Sequence, residues 1–381
     1  MENFTLYNPT CLYFGKGAIQ KLAKSIEKTG KKVLLVYGKG SVKSSGAYDA
    51  VMEQLRIAGA EVFEYSGIKS NPLIEDVEKA VALGREKSVD VVLAVGGGSV
   101  IDSAKVISIG IPVSHSPWEF VIGKNKPQTA VPLIAVLTLA ATGSEMNHFA
   151  VVQNVKTMEK IGFGNPLMYP RYSFLDPSFT ITVPLNYTAY GVADLIAHSL
   201  EAWFGKGDAS LSDRFVISII HEAMKYGPLL LENLDNYDLR ARIMYAATSA
   251  LNGLTAYGRV SPDWGVHDIG HILSVMYDIP HGASLSIAYP AWLRLHKDRA
   301  AERIKELGIA LFNAENIDDT IYKLECFFRL IQCPLKLSEA GVKLDSEGQK
   351  QLVERMKINK ANGLAHQLSD DDYPKLVEWM L

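Results

Sequence analysis

Two short stretches, Asp194-Leu-Ile-Ala-His198 and His267-Asp-Ile-Gly-His271, set one carboxylate and three imidazoles at helical spacing, and His281 follows ten residues later. Residues four apart project from one face of a helix. A carboxylate with several neutral imidazoles is the donor set that holds a single transition-metal ion. Five of the nine histidines lie between 198 and 281, and four of those five fall in the two pairs or at 281. A single histidine reads as a core or surface residue; the set together reads as a metal site. Spacing alone does not choose between His271 and His281 as the fourth ligand.

A second kind of chemistry resides in two glycine turns. Val95-Gly96-Gly97-Gly98-Ser99-Val100-Ile101-Asp102 closes an apolar run and opens a helical pattern through Ala104, Lys105 and Val106. Glycines there let backbone N–H groups approach a diphosphate, and the helix N-terminus adds favourable electrostatics. Ser99 can donate a hydrogen bond or cap that helix. The turn is neither the Gly-x-Gly-x-x-Gly of an ordinary dinucleotide fold nor a Walker loop. The earlier turn, Tyr37-Gly38-Lys39-Gly40-Ser41-Val42-Lys43, contains no acid of the kind that holds an adenosine ribose. Its two lysines and serine suit a 2′-phosphate better, so NADP(H) is expected, with NAD(H) as the alternative.

The elements that must position these groups divide the chain. In the first half, strand-like runs Lys32–Tyr37, Glu61–Tyr65, Asp90–Val95 and Val131–Leu137 alternate with helical patterns at Tyr48–Gly59 and Ile74–Ser88. Strands continuous in Val, Ile and Leu, separated by helices, predict a parallel sheet covered on both faces. After Leu175-Asp-Pro177 the patterns are helical, at Tyr187–Phe204, Leu211–Leu231, Tyr237–Ala256, Trp264–Tyr277 and Ala300–Leu311. Pro280, Pro290 and Pro334 punctuate them. The expected organisation is an α/β dinucleotide-binding domain over 1–180 and an all-helical metal-binding domain over 181–381.

Composition narrows the function classes. With 381 residues, 21% charged and a net charge of −3, the chain has an ordinary globular composition and no basic excess for nucleic acid or an anionic membrane. No run approaches the eighteen apolar residues of a membrane helix. Cys11, Cys326 and Cys333 lack metal-type spacing, and the N-terminal residues lack signal-peptide character, so a cytoplasmic location is expected.

In this order the motifs resemble the iron-containing (group III) alcohol dehydrogenase family over essentially the whole chain. The resemblance runs through Asn8-Pro-Thr, Phe14-Gly-Lys-Gly17, Ser70-Asn-Pro72, Gly96-Gly-Gly-Ser-Val-Ile-Asp102 and Thr138-Leu-Ala-Ala-Thr-Gly-Ser-Glu145. It continues through Leu175-Asp-Pro177, Asp194-x-x-x-His198-Ser-Leu-Glu201, the 267/271 pair and Pro280-His281-Gly282. Tyr37-Gly-Lys-Gly-Ser41 and Asp263-Trp264 look like the branch of NADPH-dependent aldehyde reductases and butanol dehydrogenases. The resemblance implies a dehydroquinate synthase-like architecture and one divalent ion, iron or zinc, on Asp194, His198, His267 and His281. His271 then becomes the proton relay. It implies Gly38, Lys39, Ser41 and Lys43 around a 2′-phosphate, Asn71 near the adenine, and Gly97, Gly98 and Ser99 on the diphosphate. Asp102 and Ser144 lie towards the nicotinamide, with Thr138, Leu139, Thr142, Asn147 and Lys160 completing the wall. Lys39 departs from the glycine usual in the branch.

The chemistry so implied is hydride transfer between NADP(H) and a small aldehyde or primary alcohol, with the metal as Lewis acid and the cofactor as hydride carrier. Asn147, Phe149 and Trp264 are candidates for the substrate wall. Homodimerisation is also implied, through an edge strand at Phe4–Phe14. A glycerol-type dehydrogenase and a dehydroquinate synthase-like lyase are the rivals. A lyase of that kind needs a cluster of basic residues for a phosphorylated, carboxylated substrate, and the helical half offers few beside the metal motifs.

Overall fold

A computed structural model describes residues 1–381. The chain forms two compact units, one of Tyr7–Pro184 with Asn233–Thr248, the other of Met1–Leu6, Leu185–Glu232 and Ser249–Leu381.

The first unit holds eight strands: β1 Cys11–Phe14, β2 Lys32–Tyr37, β3 Glu61–Tyr65, β4 Val91–Gly96, β5 Leu133–Leu137, β6 Phe149–Asn154, β7 Glu159–Gly164 and β8 Tyr172–Leu175. Six form one parallel sheet in the order β1-β8-β5-β4-β2-β3, while β6 and β7 pair antiparallel as a separate hairpin. Both faces of the sheet are covered, which explains the uninterrupted apolar runs. Val33, Leu35, Val91 and Leu93 enter one buried cluster with Leu22, Ile26, Val51 and Leu55. Leu34, Val36, Val92 and Ala94, at the alternate positions, enter another with Val77, Val81, Ile101 and Ala104.

The strand that the resemblance implies at Phe4–Phe14 is shorter, beginning only at Cys11 and pairing with β8 of its own sheet. Asn8-Pro9 explains the difference. Proline offers no N–H to a ladder and restricts the residue before it. The Asn8 side chain accepts the Thr10 N–H and donates to the Met146 carbonyl, holding a turn there.

The second unit is helical: Leu185–Trp203, Ser210–Glu232, Gly265–Tyr277, His281–His296, Ala301–Phe312, Ile317–Leu330, Ser346–Ile358 and Asp372–Met380. Pro280 precedes a helix as expected, but Pro290 lies inside His281–His296 without ending it. That helix is buried along nearly its whole length, and such packing outweighs one missing backbone hydrogen bond. The helix Tyr237–Ala250 follows in sequence but its first residues belong with the sheet, where Met244 joins the core and Arg240 donates to the Val183 carbonyl. No helix is long and apolar enough to cross a membrane.

Candidate metal centre and cofactor floor

Three helices of the second unit converge on one carboxylate. Leu185–Trp203 carries Asp194, His198 and Glu201 at successive turns of one face, Gly265–Tyr277 carries His267 and His271, and His281 is the first residue of the next helix. Gly282 allows that last approach: a Cβ there would stand 2.0 Å from the Tyr190 carbonyl oxygen, one turn before Asp194. One donor atom each from Asp194, His267 and His281 lies within 4.8 Å of the others. Asp194 Oδ1 is 3.5 Å from His198 Nδ1, 3.6 Å from His281 Nε2 and 3.9 Å from His267 Nε2. These separations are long for hydrogen bonds. They match ligands around a shared centre, since two donors about 2.1 Å from a tetrahedral ion stand roughly 3.4 Å apart.

The donor chemistry fits a divalent cation. His198 Nδ1 and His267 Nε2 are buried without a hydrogen-bond partner. Burial, reinforced by His267, holds the His198 imidazole well below its usual range and therefore neutral, the form that binds metal. His271 lies alongside, its ring stacked 5.4 Å from that of His281 and edge-on at 6.4 Å to that of His267.

Glu201 completes the arrangement. Its Oε1 accepts from His267 Nδ1 at 2.8 Å and from the His267 backbone N–H at 3.0 Å, and its Oε2 accepts the Trp264 N–H at 2.6 Å. One buried carboxylate thus caps the helix bearing His267 and sets that ring's tautomer, leaving Nε2 towards Asp194. Trp264 sits at φ 67° immediately before the helix, its ring 5.3 Å from that of His267. Asp263 accepts the N–H groups of Gly265, Ala365 and His366, tying the segment 363–366 to the same helix start. Glu201 closes the motif Asp194-x-x-x-His198-Ser-Leu-Glu201, and its spacing of seven from Asp194 is the sequence signal for its place on the same helix face.

The expected cofactor residues belong to the first unit, where they form four groups. Gly38 and Lys39 follow β2, and Ser41 and Lys43 lie in the short helix Ser41–Ser44, with Lys43 Nζ 4.9 Å from the centre of the Tyr48 ring. Gly97 and Gly98 open the helix Gly98–Gly110 without positive φ. What excludes a side chain is close approach: a Cβ on Gly98 would lie 2.5 Å from Thr142, and one on Gly97 would lie 3.0 Å from Leu139. The Thr138 N–H reaches the Gly96 carbonyl beside them. Ser99 does not cap the helix; its hydroxyl donates to the Ser70 carbonyl. Asn71, next in sequence, accepts from Lys160 Nζ at 2.9 Å, both side chains being buried. Asp102, Ser144 and Asn147 form the fourth group around the buried Lys105.

The turn after β2 also has an acidic neighbour that the motif did not contain. Glu64, on the adjacent β3, accepts from Tyr37 Oη at 2.7 Å and from Tyr48 Oη at 3.1 Å. An acid near the end of the second strand of a βαβ unit was the sequence signal for it. Burial, followed by the hydrogen bond to Glu64, raises the Tyr37 phenol to about 12.

Comparison with known proteins accounts for both units. Residues 9–177 match the model of the iron-containing alcohol dehydrogenases, and residues 188–369 that of the C-terminal part of the Fe-containing alcohol dehydrogenase family. The chain is 40% identical to a probable NADH-dependent butanol dehydrogenase of Bacillus subtilis over 99% of both chains. It is 38% identical to an NADPH-dependent aldehyde reductase of Escherichia coli, over 94% of this chain and 97% of the other. The crystal structure of an NADH-dependent butanol dehydrogenase from Thermotoga maritima superposes with a TM-score of 0.96 at 36% identity, covering 100% of this chain and 99% of that one. With both units matched and their polar residues so arranged, the chain belongs to the iron-containing alcohol dehydrogenase family.

Proposed function

We propose that this alcohol dehydrogenase and aldehyde reductase uses NADP(H) to interconvert a small aldehyde and its primary alcohol, with one iron or zinc ion on Asp194, His198, His267 and His281. The observation that carries the reading is the convergence of Asp194, His267 and His281 with Glu201 bound behind His267. When bound, the ion supplies Lewis acidity towards the substrate oxygen. The bound cofactor would supply the hydride for the carbonyl carbon, and reduction requires one proton at the substrate oxygen. His271 is the residue we assign to that proton, because it stands one helical turn from His267 and stacks on His281. Gly97, Gly98 and Ser99 hold the diphosphate, Asn71 and Lys160 the adenosine side, and Asp102 and Ser144 the nicotinamide side. The protein works as a homodimer in the cytoplasm in this reading, without nucleic-acid or membrane partners.

Lys39, Lys43 and the open turn at Gly40, where a Cβ would meet nothing within 4 Å, support a 2′-phosphate. NAD(H) is the second reading, favoured by the carboxylate of Glu64 on β3 and by the NADH-dependent relatives. Absorbance of NADPH and NADH with butyraldehyde and metal tests both. Turnover should be lost in His267→Ala, and Lys39→Ala with Lys43→Ala should raise KM for NADPH roughly tenfold more than for NADH, as expected of two charge-assisted contacts. No turnover of any small aldehyde by metal-replete protein would remove the functional reading. A preference for NADH unchanged by the lysine substitutions would instead assign the turn to NAD(H).

A further inference from the structure

Lys105 is the most deeply buried cation of the first unit, with none of its surface exposed. It lies two turns into the helix Gly98–Gly110. Its Nζ donates to three acceptors: Ser144 Oγ at 2.7 Å, Asn147 Oδ1 at 2.9 Å and the Phe149 carbonyl at 2.6 Å. An ammonium has three protons and no lone pair, so all of its hydrogen-bonding capacity is engaged. Ser144 in turn donates to Asp102 Oδ1 at 2.5 Å, while Asp102 Oδ2 accepts the Val151 N–H at 2.9 Å.

This chain of bonds has a fixed polarity. A serine hydroxyl has one proton and two acceptor sites. The proton of Ser144 is held on Asp102 and one acceptor site is held by Lys105, so what remains is an acceptor. Asp102, as a carboxylate, likewise offers only acceptors. Asn147 is a bolt rather than a contact. Its Oδ1 accepts from both Lys105 and the Phe149 N–H, and its Nδ2 donates to the Gly143 carbonyl. Burial raises the Asp102 carboxyl, and the nearby Lys105 charge, the Ser144 hydroxyl and the Val151 N–H act against that rise. Without the ammonium, Asp102 loses a compensating charge and the Ser144 hydroxyl loses the donor that fixes its proton on Asp102, so the polarity of the chain is no longer set.

We propose that Lys105 is a positioning residue that keeps Ser144 and Asp102 as hydrogen-bond acceptors, making this end of the unit selective for a donating group, the primary carboxamide of a nicotinamide. The inference rests on the cofactor reading above and specifies the chemistry of its nicotinamide end. It moves the role expected of Asn147 from binding the cofactor to holding the Lys105 network.

Binding of oxidised dinucleotides to the full-length protein, followed by calorimetric titration, tests it. The nicotinamide form is compared with the 3-acetylpyridine form, which keeps the carbonyl but replaces the donating NH2 with a methyl group. The thionicotinamide form, which keeps the NH2, serves as control. The wild type should bind the nicotinamide form about tenfold more tightly than the acetylpyridine form, the scale of a hydrogen bond to a charged acceptor, and the control nearly as tightly. Lys105→Met should bring that ratio close to one. Asp102→Asn, of nearly the same shape with an amide that can donate, should do the same, covering the case in which Lys105→Met does not fold. A merely structural lysine would lower the melting temperature and leave the ratio unchanged. A wild-type ratio near one, or a ratio that survives both substitutions, overturns the proposal. No binding of any form to the wild type would instead remove the cofactor reading and the proposal with it.

Discussion

The two units solve opposite electrostatic problems. The helical unit gathers donor atoms of Asp194, His267 and His281, sets His198 Nδ1 3.5 Å from the same carboxylate, and leaves His198 Nδ1 and His267 Nε2 buried without hydrogen-bond partners. The sheet unit buries Lys105 among Ser144, Asn147 and the Phe149 carbonyl, with Asp102 one bond further on. In the first, the polar groups face a shared centre and call for a cation; in the second, they already satisfy one another. A buried polar atom lacking a partner destabilises a fold by about 1–3 kcal/mol. The Lys105 network is therefore set by folding alone, whereas the imidazole cluster would gain stability from a bound cation.

The strongest way to break that comparison is to remove the metal. Chelation should abolish aldehyde reduction and lower the melting temperature of the wild type, while excess metal should stabilise it by about 2.7 kcal/mol at a hundredfold over Kd. His267→Ala should lose both the activity and the metal-dependent shift in melting temperature, but keep dinucleotide binding. A wild-type melting temperature indifferent to chelator would show that the imidazole cluster is stable by itself. A smaller effect sharpens the same contrast: Glu201→Gln weakens the acceptor of the His267 Nδ1 proton without emptying the site. Metal affinity, read by competition with a chromophoric chelator, should fall 10–100-fold, with the helix still capped. An unchanged affinity would make Glu201 a helix cap only.

How much of this was legible beforehand follows the range of the forces involved. β2 and β3 were readable to the residue, because continuous apolar runs bounded by turns are a local signal. The hairpin β6–β7 was not. Its turn, Val155-Lys-Thr-Met158, contains no Asn-Gly pair and places positive φ on a methionine. β1 and β8 are four residues each, too short for periodicity to identify. At the candidate site, spacing singles out Asp194, His198, His267 and His271; the structure groups Asp194 and His267 with His281, whose place as a ligand only the family resemblance implies. The roles of Glu201 and Lys105 depend on partners 66 and about 40 residues away, which no local pattern encodes. A lysine within Ser103-Ala-Lys-Val-Ile107 reads as solvent-facing until the hairpin β6–β7 is known to cover it.

The smallest effect expected concerns another buried imidazole, outside the cluster around Asp194. His296 ends the helix His281–His296 with none of its surface exposed, and neither ring nitrogen has a hydrogen-bond partner. Burial above all, then His366 and Arg299, lowers it to about 3, with Asp372 opposing. The sign follows from linkage. Between pH 6.5 and 3 the unfolded chain binds a proton at this position that the folded one refuses, so stability is full above pH 6.5 and declines as the pH falls. Each pH unit in that window removes up to about 1.4 kcal/mol. His296→Phe keeps a ring against Trp292 and His366 while removing the titration. Its melting temperature should therefore gain on the wild type as the pH is lowered from 7.5 to 5, with metal saturation checked at each pH. Asp263 and Asp268, raised chiefly by burial to about 6 and 7, act in the opposite sense in both proteins and largely cancel from the difference. A difference constant across that range would mean that His296 takes up its proton in the folded state as readily as in the unfolded one. The partnerless imidazoles of the helical unit would then not require a neutral or metal-bound form, and the contrast with the self-satisfied network around Lys105 would weaken.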